Sequence, residues 1–311
     1  MSRIVVTGGG GFIGANLARK LSMLGYETLV IDDFSTGLKS NLDGYGIEVI
    51  ETSLLDFSTL QKKLDSASYI FHLGARGSVP RSLKDPVGTF RVNAEGTLNL
   101  LEIVRVTKAG FAFTSSSSVY GKNSKGQKEE KSWLAPISPY AASKISAESI
   151  VQGYSESFGF KAMTYRLFNV FGPLQRPDHE YAAVIPRWIR AAIRNERLDL
   201  FGDGLQQRDF TFVNDVVEVL IDGMIRELSH ECPVNLAFGN SISLLELIEM
   251  IKSFHPSVRV EKGPGRAGDI SYSKNSSDLI FQLFPQIKPT SFSEAFEETY
   301  NWVKSTYHPT K

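Results

Sequence analysis

Short runs of apolar, mostly β-branched residues alternate along the first half of the chain with stretches of helical spacing. A strand that is apolar at nearly every position is typical of a parallel sheet covered on both faces. The alternation of such strands with helices predicts an α/β fold built on a Rossmann-type, doubly wound parallel sheet. The predicted strands lie at 3–7, 28–31, 49–50, 69–73, 111–114 and 162–167.

The first strand runs directly into Gly8, Gly11 and Gly14, which give the spacing GxxGxxG. In such a turn the first glycine allows the tight bend, the second admits a pyrophosphate and the third lets helix and strand pack closely. The second strand ends at Asp32-Asp33, about 20 residues further on, where a carboxylate bonds ribose hydroxyls and repels a 2′-phosphate. This order of elements predicts a dinucleotide site that prefers NAD to NADP.

Tyr140 and Lys144 are four residues apart and share one face if their segment is helical. A phenol ionises near pH ~10, and a neighbouring ammonium favours the phenolate and so lowers the pKa. The pair is therefore predicted to take a proton from a sugar or alcohol hydroxyl while hydride leaves the same carbon. An ordinary amphipathic helix has the same spacing, so the dinucleotide signal upstream decides between the two.

Four serines at 115–118 follow the strand at 111–114, and one of them could donate to the same substrate oxygen. The spacing alone does not identify which one. Other polar features are predicted to be structural: His72 precedes a glycine turn, and the hydrophilic loop at 122–131 is a solvated surface. Ser58 is predicted to cap a helix at 58–64, and Ser243 with Glu246 forms a capping box.

Composition excludes several classes of function. The chain of 311 residues has 34 Lys+Arg and 34 Asp+Glu, so no overall positive field attracts it to nucleic acid or to an anionic membrane. Cys232 is the only cysteine, which excludes an intrachain disulfide and fits a reducing compartment. No Cys/His spacing indicates a metal site, no basic-then-apolar leader opens the sequence, and no apolar run approaches spanning length. We expect a cytoplasmic protein.

The chain changes character near residue 170. Pro173, Pro177 and Pro186 divide the following part into loops and shorter helices. We therefore predict an NAD-binding domain over residues 1–170, with a return segment near 205–235, and a smaller α/β substrate-binding domain over 171–311.

Taken together, these segments resemble the extended short-chain dehydrogenase/reductase family, in its branch of nucleotide-sugar epimerases and dehydratases. The resemblance extends over nearly the whole chain in the family's order. The matching segments are TGGGGFIG (7–14), HLGA (72–75), NAEGT (93–97), SSSSVYG (115–121), SPYAASK (138–144), RLFNVFGP (166–173), GDGLQQRDFTFVNDV (202–216) and RAGD (266–269).

The resemblance implies a role for each matched residue. Tyr140 would be the base, Lys144 its electrostatic helper and a ribose ligand, and Ser116 would hydrogen-bond O4 of the sugar. In the family an Asp often follows the third strand, whereas Ser53 stands here, which weakens the adenine contact. The implied NAD-binding residues are Gly8, Gly11, Phe12, Ile13, Gly14, Asp32, Asp33, Ser53, Leu54, Leu73, Gly74, Ala75, Asn93, Tyr140 and Lys144.

The implied substrate is a UDP-sugar. Asn169 and Arg208 would hold the diphosphate, Arg266 and Asp269 its phosphate and ribose, and Phe201 the uracil. Family analogy also implies a homodimer, formed through the helix after Gly88 and the helix that contains Tyr140. The implied substrate-binding residues are Ser78, Ser116, Ser117, Tyr140, Asn169, Ala183, Val184, Phe201, Arg208, Arg266, Asp269 and Ser273.

Two positions favour a reaction within this branch. The 4,6-dehydratases that it resembles carry Asp-Glu before the Val-Tyr-Gly, and uronate decarboxylases usually a Glu, whereas Ser117 and Ser118 stand here and do not titrate near neutrality. This favours a 4-epimerase that regenerates NAD in each cycle. Ser273, where enzymes restricted to UDP-glucose have a bulky residue, leaves room for a 2-acetamido group and favours UDP-GlcNAc/UDP-GalNAc beside UDP-Glc/UDP-Gal. The alternatives are a dehydratase, a UDP-glucuronate 4-epimerase or decarboxylase, and a non-catalytic nucleotide-sugar sensor.

Overall fold

The computed structural model describes residues 3–122, 128–179, 182–265, 272–273 and 275–307. These parts form two units. The first lies within Met1–Asn123, Glu130–Leu167 and Val216–Leu236, and the second within Ser124–Glu129, Phe168–Asp215 and Ala237–Lys311. Residues 205–215, which the sequence analysis assigned to the return segment, therefore belong to the second unit.

Strands and helices alternate through most of the chain. The strands are β1 Arg3–Thr7, β2 Glu27–Asp32, β3 Glu48–Glu51, β4 Ala67–His72, β5 Gly110–Ser116, β6 Ala162–Leu167, β7 Val170–Phe171, β8 Leu198–Phe201, β9 Gln207–Asp209, β10 Thr211–Phe212, β11 Val234–Leu236, β12 Ser241–Ser243, β13 Val260–Gly263 and β14 Tyr272–Ser273. The helices are α1 Phe12–Met23, α2 Phe57–Lys63, α3 Val79–Lys84, α4 Pro86–Phe90, α5 Gly96–Thr107, α6 Pro139–Phe158, α7 Val184–Ile193, α8 Val213–Ile225, α9 Leu244–Phe254, α10 Asp278–Leu283 and α11 Phe292–Tyr307.

The first unit is built on a seven-stranded sheet in the order β11-β6-β5-β4-β1-β2-β3. Every neighbouring pair is parallel. Val5, at the centre, is paired with Leu29 on one side and Ile70 on the other, and all three side chains are fully buried. The predicted Rossmann-type parallel sheet is confirmed, and its carboxyl ends form the edge where ligands bind in such sheets.

Helix α2 begins one residue earlier than predicted and has a different cap. The carboxylate of Asp56, rather than the Ser58 hydroxyl, accepts the hydrogen bond from the Thr59 N–H. Ser58 itself donates to Asp56. The predicted serine cap is therefore wrong, because a carboxylate two residues upstream reaches the same orphan N–H groups.

The helix predicted after Gly88 is divided. Helices α4 and α5 are joined by a single π-helical segment, Arg91–Glu95. Such segments widen the helix by one residue per turn and occur often at functional sites. Here the widened turn contains Asn93, which is buried.

Helix α6 carries the Tyr140–Lys144 segment. It begins after Ser138, whose hydroxyl accepts a hydrogen bond from the Ala141 N–H, and Pro139 occupies its first position. Both features are typical of a helix start. Helix α6 packs against α5 and β5, so its first turn lies at the end of β5 where the serines are.

One ion pair lies inside the first unit. The Arg166 guanidinium on β6 donates twice to the Glu148 carboxylate on α6, from Nε to Oε1 at 3.0 Å and from Nη2 to Oε2 at 2.8 Å. The two side chains are only 4% and 5% exposed. Arg166 also donates to the Tyr120 hydroxyl at 2.9 Å, so the pair ties α6 to the sheet and to the segment after the serines.

The second unit contains short strands and an aromatic core. Strands β7 and β10 pair in parallel, as do β8 and β13, while β9 lies between β12 and β14. Rings stack at centroid distances of 5.3–6.3 Å in a cluster that gives this unit a hydrophobic centre. The cluster consists of Phe171, Phe210, Phe212, Phe292 and Phe296.

Helix α9 has the predicted capping box. The Ser243 hydroxyl accepts from the Glu246 N–H at 3.1 Å, and the Glu246 carboxylate accepts from the Ser243 N–H at 2.7 Å.

The buried position of Lys128 contradicts the predicted solvated loop at 122–131. Lys128 is 4% exposed and pairs with Asn275 in a β-bridge.

Candidate active site

The glycine turn between β1 and α1 brings two backbone segments into close contact. Gly8 has φ +69°, and a Cβ atom there would lie 2.7 Å from the Gly74 Cα. Gly74 belongs to the turn after β4, at the neighbouring position in the sheet. Only glycine fits this approach, and it leaves the first N–H groups of α1 facing the end of the sheet, as a pyrophosphate requires.

Replacing Gly8 with alanine is expected to lower the affinity for NAD at least about tenfold and to reduce the melting temperature. Gly25→Ala is the matched control, since Gly25 has φ +85° but nothing within 4 Å of its Cβ position. The control carries the backbone strain without the collision. Equal losses in both variants, measured by NAD titration and thermal unfolding, would show that the close approach is unimportant.

A cavity of about 110 Å³ opens beside this turn. Its lining includes most of the residues predicted to bind NAD, together with others such as Thr52, which follows β3 at the same edge of the sheet. The predicted residues that line it are Gly8, Gly11, Asp32, Asp33, Leu54, Leu73, Gly74 and Ala75. The predicted residues outside its lining are Phe12, Ile13, Gly14, Ser53, Asn93, Tyr140 and Lys144.

Asp32, at the end of β2, is fixed by the backbone around it. Its Oδ2 accepts from the Gly10 N–H and its Oδ1 from the Phe34 N–H, both at 2.8 Å. Burial raises the pKa of this carboxyl above its ordinary value, and the two backbone hydrogen bonds oppose that shift. The carboxylate is thus oriented at the cavity, where it fits ribose hydroxyl donors.

The side chains of Ser53 and Asn93 form hydrogen bonds within the protein, and neither residue lines the cavity. The Ser53 hydroxyl accepts from the Leu55 N–H, and Thr52 lines the cavity instead. The Asn93 Oδ1 accepts from the Arg76 N–H at 2.8 Å, and its Nδ2 donates to the Ser143 Oγ at 2.9 Å. Asn93 therefore connects the cavity wall to the helix that carries Tyr140.

Ser116, Tyr140 and Lys144 come together at the carboxyl end of β5. The Ser116 and Tyr140 hydroxyls share a hydrogen bond. One turn further along α6, the buried Lys144 Nζ donates to the Thr114 carbonyl at 2.8 Å and lies 4.8 Å from the centre of the Phe113 ring. The predicted catalytic set is thus assembled by one strand and one helix of the same unit.

The electrostatics of this set differ from the prediction. Burial raises the pKa of Tyr140, and the hydrogen bond with Ser116 opposes the shift. The predicted lowering of this pKa by Lys144 is not among its causes. Burial also lowers the pKa of Lys144 to about 8, against the opposing charge of Glu148.

His72 has the structural role that the sequence predicted. It is buried between two threonines, with Nδ1 2.7 Å from the Thr7 Oγ1 and Nε2 2.9 Å from the Thr97 Oγ1. Burial first, and then the charge of Lys144, lower its pKa to about 3. The ring is therefore neutral near pH 7 and braces β4 against β1 and α5.

Two of the other serines predicted to meet the substrate lie in the same unit. Ser78 is the N-cap of α3 and has φ +129°, a strained conformation for a residue other than glycine. Strain of this kind persists where the surroundings enforce it, commonly at ligand sites. Ser117 begins a 3-10 turn, Ser117–Tyr120, directly after Ser116.

The second unit has its own cavity, of about 270 Å³, which we call the nucleotide cavity. Asn169 lies in its wall with φ +32°, and its Nδ2 donates to the Asp209 carbonyl at 2.9 Å. Five of the described residues that were predicted to bind the substrate line this cavity. They are Asn169, Ala183, Val184, Phe201 and Arg208.

Further wall residues of the nucleotide cavity were not identified from the sequence. Arg187, Trp188, Asp199 and Gln206 line it, together with several apolar side chains. Of these, Gln206 stands within the GDGLQQRDF segment that the resemblance covered, so that motif could have indicated it. The other three lie in segments without a motif.

A buried carboxyl group, that of Asp209, lies next to a wall residue of the nucleotide cavity in the sequence. Asp209, next to Arg208 on β9, is fully buried, and burial raises its pKa to about 7. Lys128 interacts electrostatically with both residues, and burial lowers its pKa to about 8.

Three predicted substrate residues receive no structural account. Arg266 and Asp269 lie outside the described residues, and Ser273 belongs to β14 without a described side chain. Within the described ranges, no group of three or more His, Cys, Asp or Glu could hold a metal ion. No helix in this part of the chain is long and apolar enough to cross a membrane.

Comparisons with known proteins agree with this geometry. The model of the NAD dependent epimerase/dehydratase family matches residues 4–231. The structure is similar to that of UDP-N-acetylglucosamine 4-epimerase from Methanobrevibacter ruminantium M1 in complex with UDP-N-acetylmuramic acid, with a TM-score of 0.92, 34% identity and 98% of both chains covered.

Several curated relatives are decarboxylases, among them a plant and a bacterial enzyme. UDP-glucuronic acid decarboxylase 1 of Arabidopsis thaliana is 34% identical over 276 residues, which are 86% of this chain and 62% of that protein. UDP-N-acetyl-alpha-D-glucosaminuronate decarboxylase of Bacillus cytotoxicus is 30% identical over 324 residues, 97% of this chain and 98% of that protein. The chain thus spans about three fifths of the plant enzyme and nearly all of the bacterial one.

Proposed function

Because the chain belongs to the NAD dependent epimerase/dehydratase family, we propose that it is a 4-epimerase of a UDP-sugar. NAD is its cofactor, as for the family, and the residues present fit it: a glycine turn closed to any Cβ and a backbone-braced carboxylate, Asp32, border one cavity. The observation that carries the reaction is the Ser116–Tyr140 hydrogen bond, with Lys144 one turn along the same helix.

The residues of this chain divide the proton chemistry between them. NAD, when bound, would supply the hydride acceptor and a positive charge that favours the Tyr140 phenolate. Tyr140 takes the proton of the sugar O4 and returns it when the other 4-epimer is formed. The Ser116 hydroxyl, which is hydrogen-bonded to the Tyr140 hydroxyl, also hydrogen-bonds O4 of the sugar. Asn93 and Ser143 support the first turn of α6, so the phenol keeps its place through the cycle.

The residues after Ser116 support epimerisation over elimination. Ser117 and Ser118 form the start of a 3-10 turn, and neither can act as the acid or base that a dehydratase requires near neutral pH. Besides NAD as the hydride acceptor, hydride removal from C4, rotation of the 4-keto sugar and hydride return need only the residues already placed. The site therefore contains what a 4-epimerase needs and lacks, at these two positions, the carboxylates of the alternatives.

The substrate proposed is UDP-GlcNAc/UDP-GalNAc, UDP-Glc/UDP-Gal, or both. The nucleotide cavity, with Phe201 and Arg208 in its wall, supports a pyrimidine nucleoside diphosphate. The similarity to a UDP-N-acetylglucosamine 4-epimerase supports the acetamido sugar, as does the small Ser273.

We also propose a homodimer formed through the α4–α5 region and α6, which the exposed Val87 and Phe90 support. The cytoplasmic location that we propose is supported by the single cysteine.

A UDP-uronate decarboxylase is the second candidate, since several of the curated relatives are decarboxylases of UDP-uronates. Incubation with NAD and, in turn, UDP-Glc, UDP-GlcNAc and UDP-GlcA separates the candidates by product. We expect an equilibrium mixture of two 4-epimers from at least one of the first two sugars. Release of carbon dioxide from UDP-GlcA, with no epimer from the neutral sugars, would replace our proposal with the decarboxylase.

The pH dependence of turnover is expected to report on Lys144. Its ammonium is the protonated form, present below the pKa of about 8 and lost as the pH rises through that value. If the positive charge assists Tyr140, turnover should fall by up to about tenfold per pH unit above this point. In Lys144→Arg, whose guanidinium stays charged, the fall should move to higher pH. Normalised profiles with the same alkaline limb in both proteins would remove Lys144 from the charge-dependent step.

A further inference from the structure

The nucleotide cavity contains two guanidinium groups from different elements. Arg208 comes from β9 and Arg187 from the first half of α7, and both residues line this cavity. Each is partly buried. The family resemblance assigned a ligand role to Arg208, whereas no motif marks Arg187.

Helix α7 holds Arg187 on the side of the cavity. The Arg187 N–H donates to the Ala183 carbonyl at 3.2 Å, so Arg187 lies one turn after the start of the helix. Residues three and four apart share a helix face. Ala183 and Val184, which precede Arg187 by four and three residues, also line the cavity.

A buried apolar stripe anchors α7 in the protein, and two of its residues, Ile185 and Trp188, also line the cavity. Ile185, Trp188, Ile189 and Ala192 recur at helical spacing and are at most 2% exposed. Their burial fixes the rotation of the helix about its axis, because turning it would expose this apolar stripe. Arg187 is therefore held toward the cavity by the packing of its own helix.

The charges around the cavity favour an anion with more than one negative charge. Among the described residues of its wall, Arg187 and Arg208 are cations and Asp199, which is exposed, is the one carboxylate. The first turn of α7 contains no acidic residue and no side-chain cap, so the positive end of the helix dipole adds to this field. The whole chain has a net charge of +0, and the wall thus concentrates positive charge locally.

We propose that Arg187 is a further diphosphate-binding residue of the nucleotide cavity, acting together with Arg208. This inference rests on the proposed function, in which a UDP-sugar occupies the cavity. The diphosphate of a UDP-sugar carries two negative charges and several non-bridging oxygens, and the planar guanidinium fork binds such oxygens in pairs. Two forks, from β9 and α7, can bind more of these oxygens than the fork of Arg208 alone.

The test compares ligands that differ only in phosphate. Arg187→Met keeps the length of the side chain and removes its charge, and UDP and uridine are titrated calorimetrically into this variant and the wild type. UDP is expected to bind about 10- to 100-fold more weakly, since hydrogen bonds to a charged group are lost, while uridine binding changes less than about threefold. Steady-state assays should show a raised KM for the UDP-sugar with little change in kcat.

Two further variants complete the design. Arg194→Met is the matched control, because Arg194 ends the same helix, is exposed and is not part of the cavity wall; it should bind UDP as the wild type does. Arg187→Lys keeps the charge without the fork and should lie between the wild type and Arg187→Met. If Arg187→Met does not fold, Arg187→Lys alone decides by the same UDP and uridine comparison.

The inference would be overturned if Arg187→Met bound UDP as tightly as the wild type does. It would also be overturned if the variant lost equal affinity for uridine and for UDP, because Arg187 would then contact the nucleoside. The proposed function is tested separately. A wild-type protein that binds UDP through Arg187 but yields no 4-epimer leaves the inference standing and removes the epimerase.

Discussion

Tyr140→Phe is expected to lower the turnover of the UDP-sugar by about 10²–10⁴-fold, the range typical of a lost general acid–base group. The aromatic ring remains, so the packing at the start of α6 is unchanged. Only the hydroxyl that is hydrogen-bonded to Ser116 is removed. NAD content should stay at the wild-type level, since the cofactor cavity is lined by other residues. Product formation by chromatography and NAD release on denaturation measure the two effects.

Tyr154→Phe is the matched control for this variant. Tyr154 lies on the same helix, and its hydroxyl donates to the Glu102 carboxylate at 2.8 Å, away from the serines. It should keep turnover within about twofold of the wild type. Near-normal activity in Tyr140→Phe, or an equal loss in Tyr154→Phe, would exclude the Tyr140 hydroxyl from the mechanism.

Glu148→Gln is expected to destabilise the protein by about 3–5 kcal/mol, the cost of leaving one partner of a buried ion pair without the other. The Arg166 guanidinium would keep its charge inside the first unit, because the Tyr120 hydroxyl and the Glu130 carbonyl cannot neutralise it. A guanidinium keeps its proton in a protein even without an anionic partner, so deprotonation offers no escape. Chemical denaturation gives the free energy of unfolding.

Glu95→Gln tests the same change on the surface. Glu95 pairs with Arg91 one turn away on an exposed face, and such pairs contribute little. The double variant Glu148→Leu/Arg166→Met should recover much of the loss, since an apolar pair can replace a buried ion pair. A small effect of Glu148→Gln, equal to that of Glu95→Gln, would mean that the buried pair does not join α6 to the sheet.

The fold could be predicted because its signals are local. Each strand of the parallel sheet is apolar over its own length, and the GxxGxxG turn requires glycine for reasons that act within a few residues, as the positive φ of Gly8 shows. The π-helical turn at Asn93 was not predicted, since it depends on contacts with Arg76 and Ser143 far along the chain.

The features that were not predicted have either tertiary causes or more than one local solution. Lys128 stands in a hydrophilic loop, and nothing nearby in sequence shows that it pairs with Asn275, almost 150 residues later. Asp56 and Ser58 are both good helix caps, so sequence alone could not choose between them. Arg187 is an ordinary helix residue until the fold places it beside Arg208.

The central claim is most directly tested by the fate of the hydrogen at C4. A UDP-sugar with deuterium at C4 is incubated with the protein and NAD in ordinary water, and the products are identified by NMR and mass spectrometry. We expect both 4-epimers, each with the deuterium still at C4, because the hydride is removed and returned within one site. Deuterium lost from C4, or a product that has lost water or carbon dioxide, would contradict the epimerase mechanism.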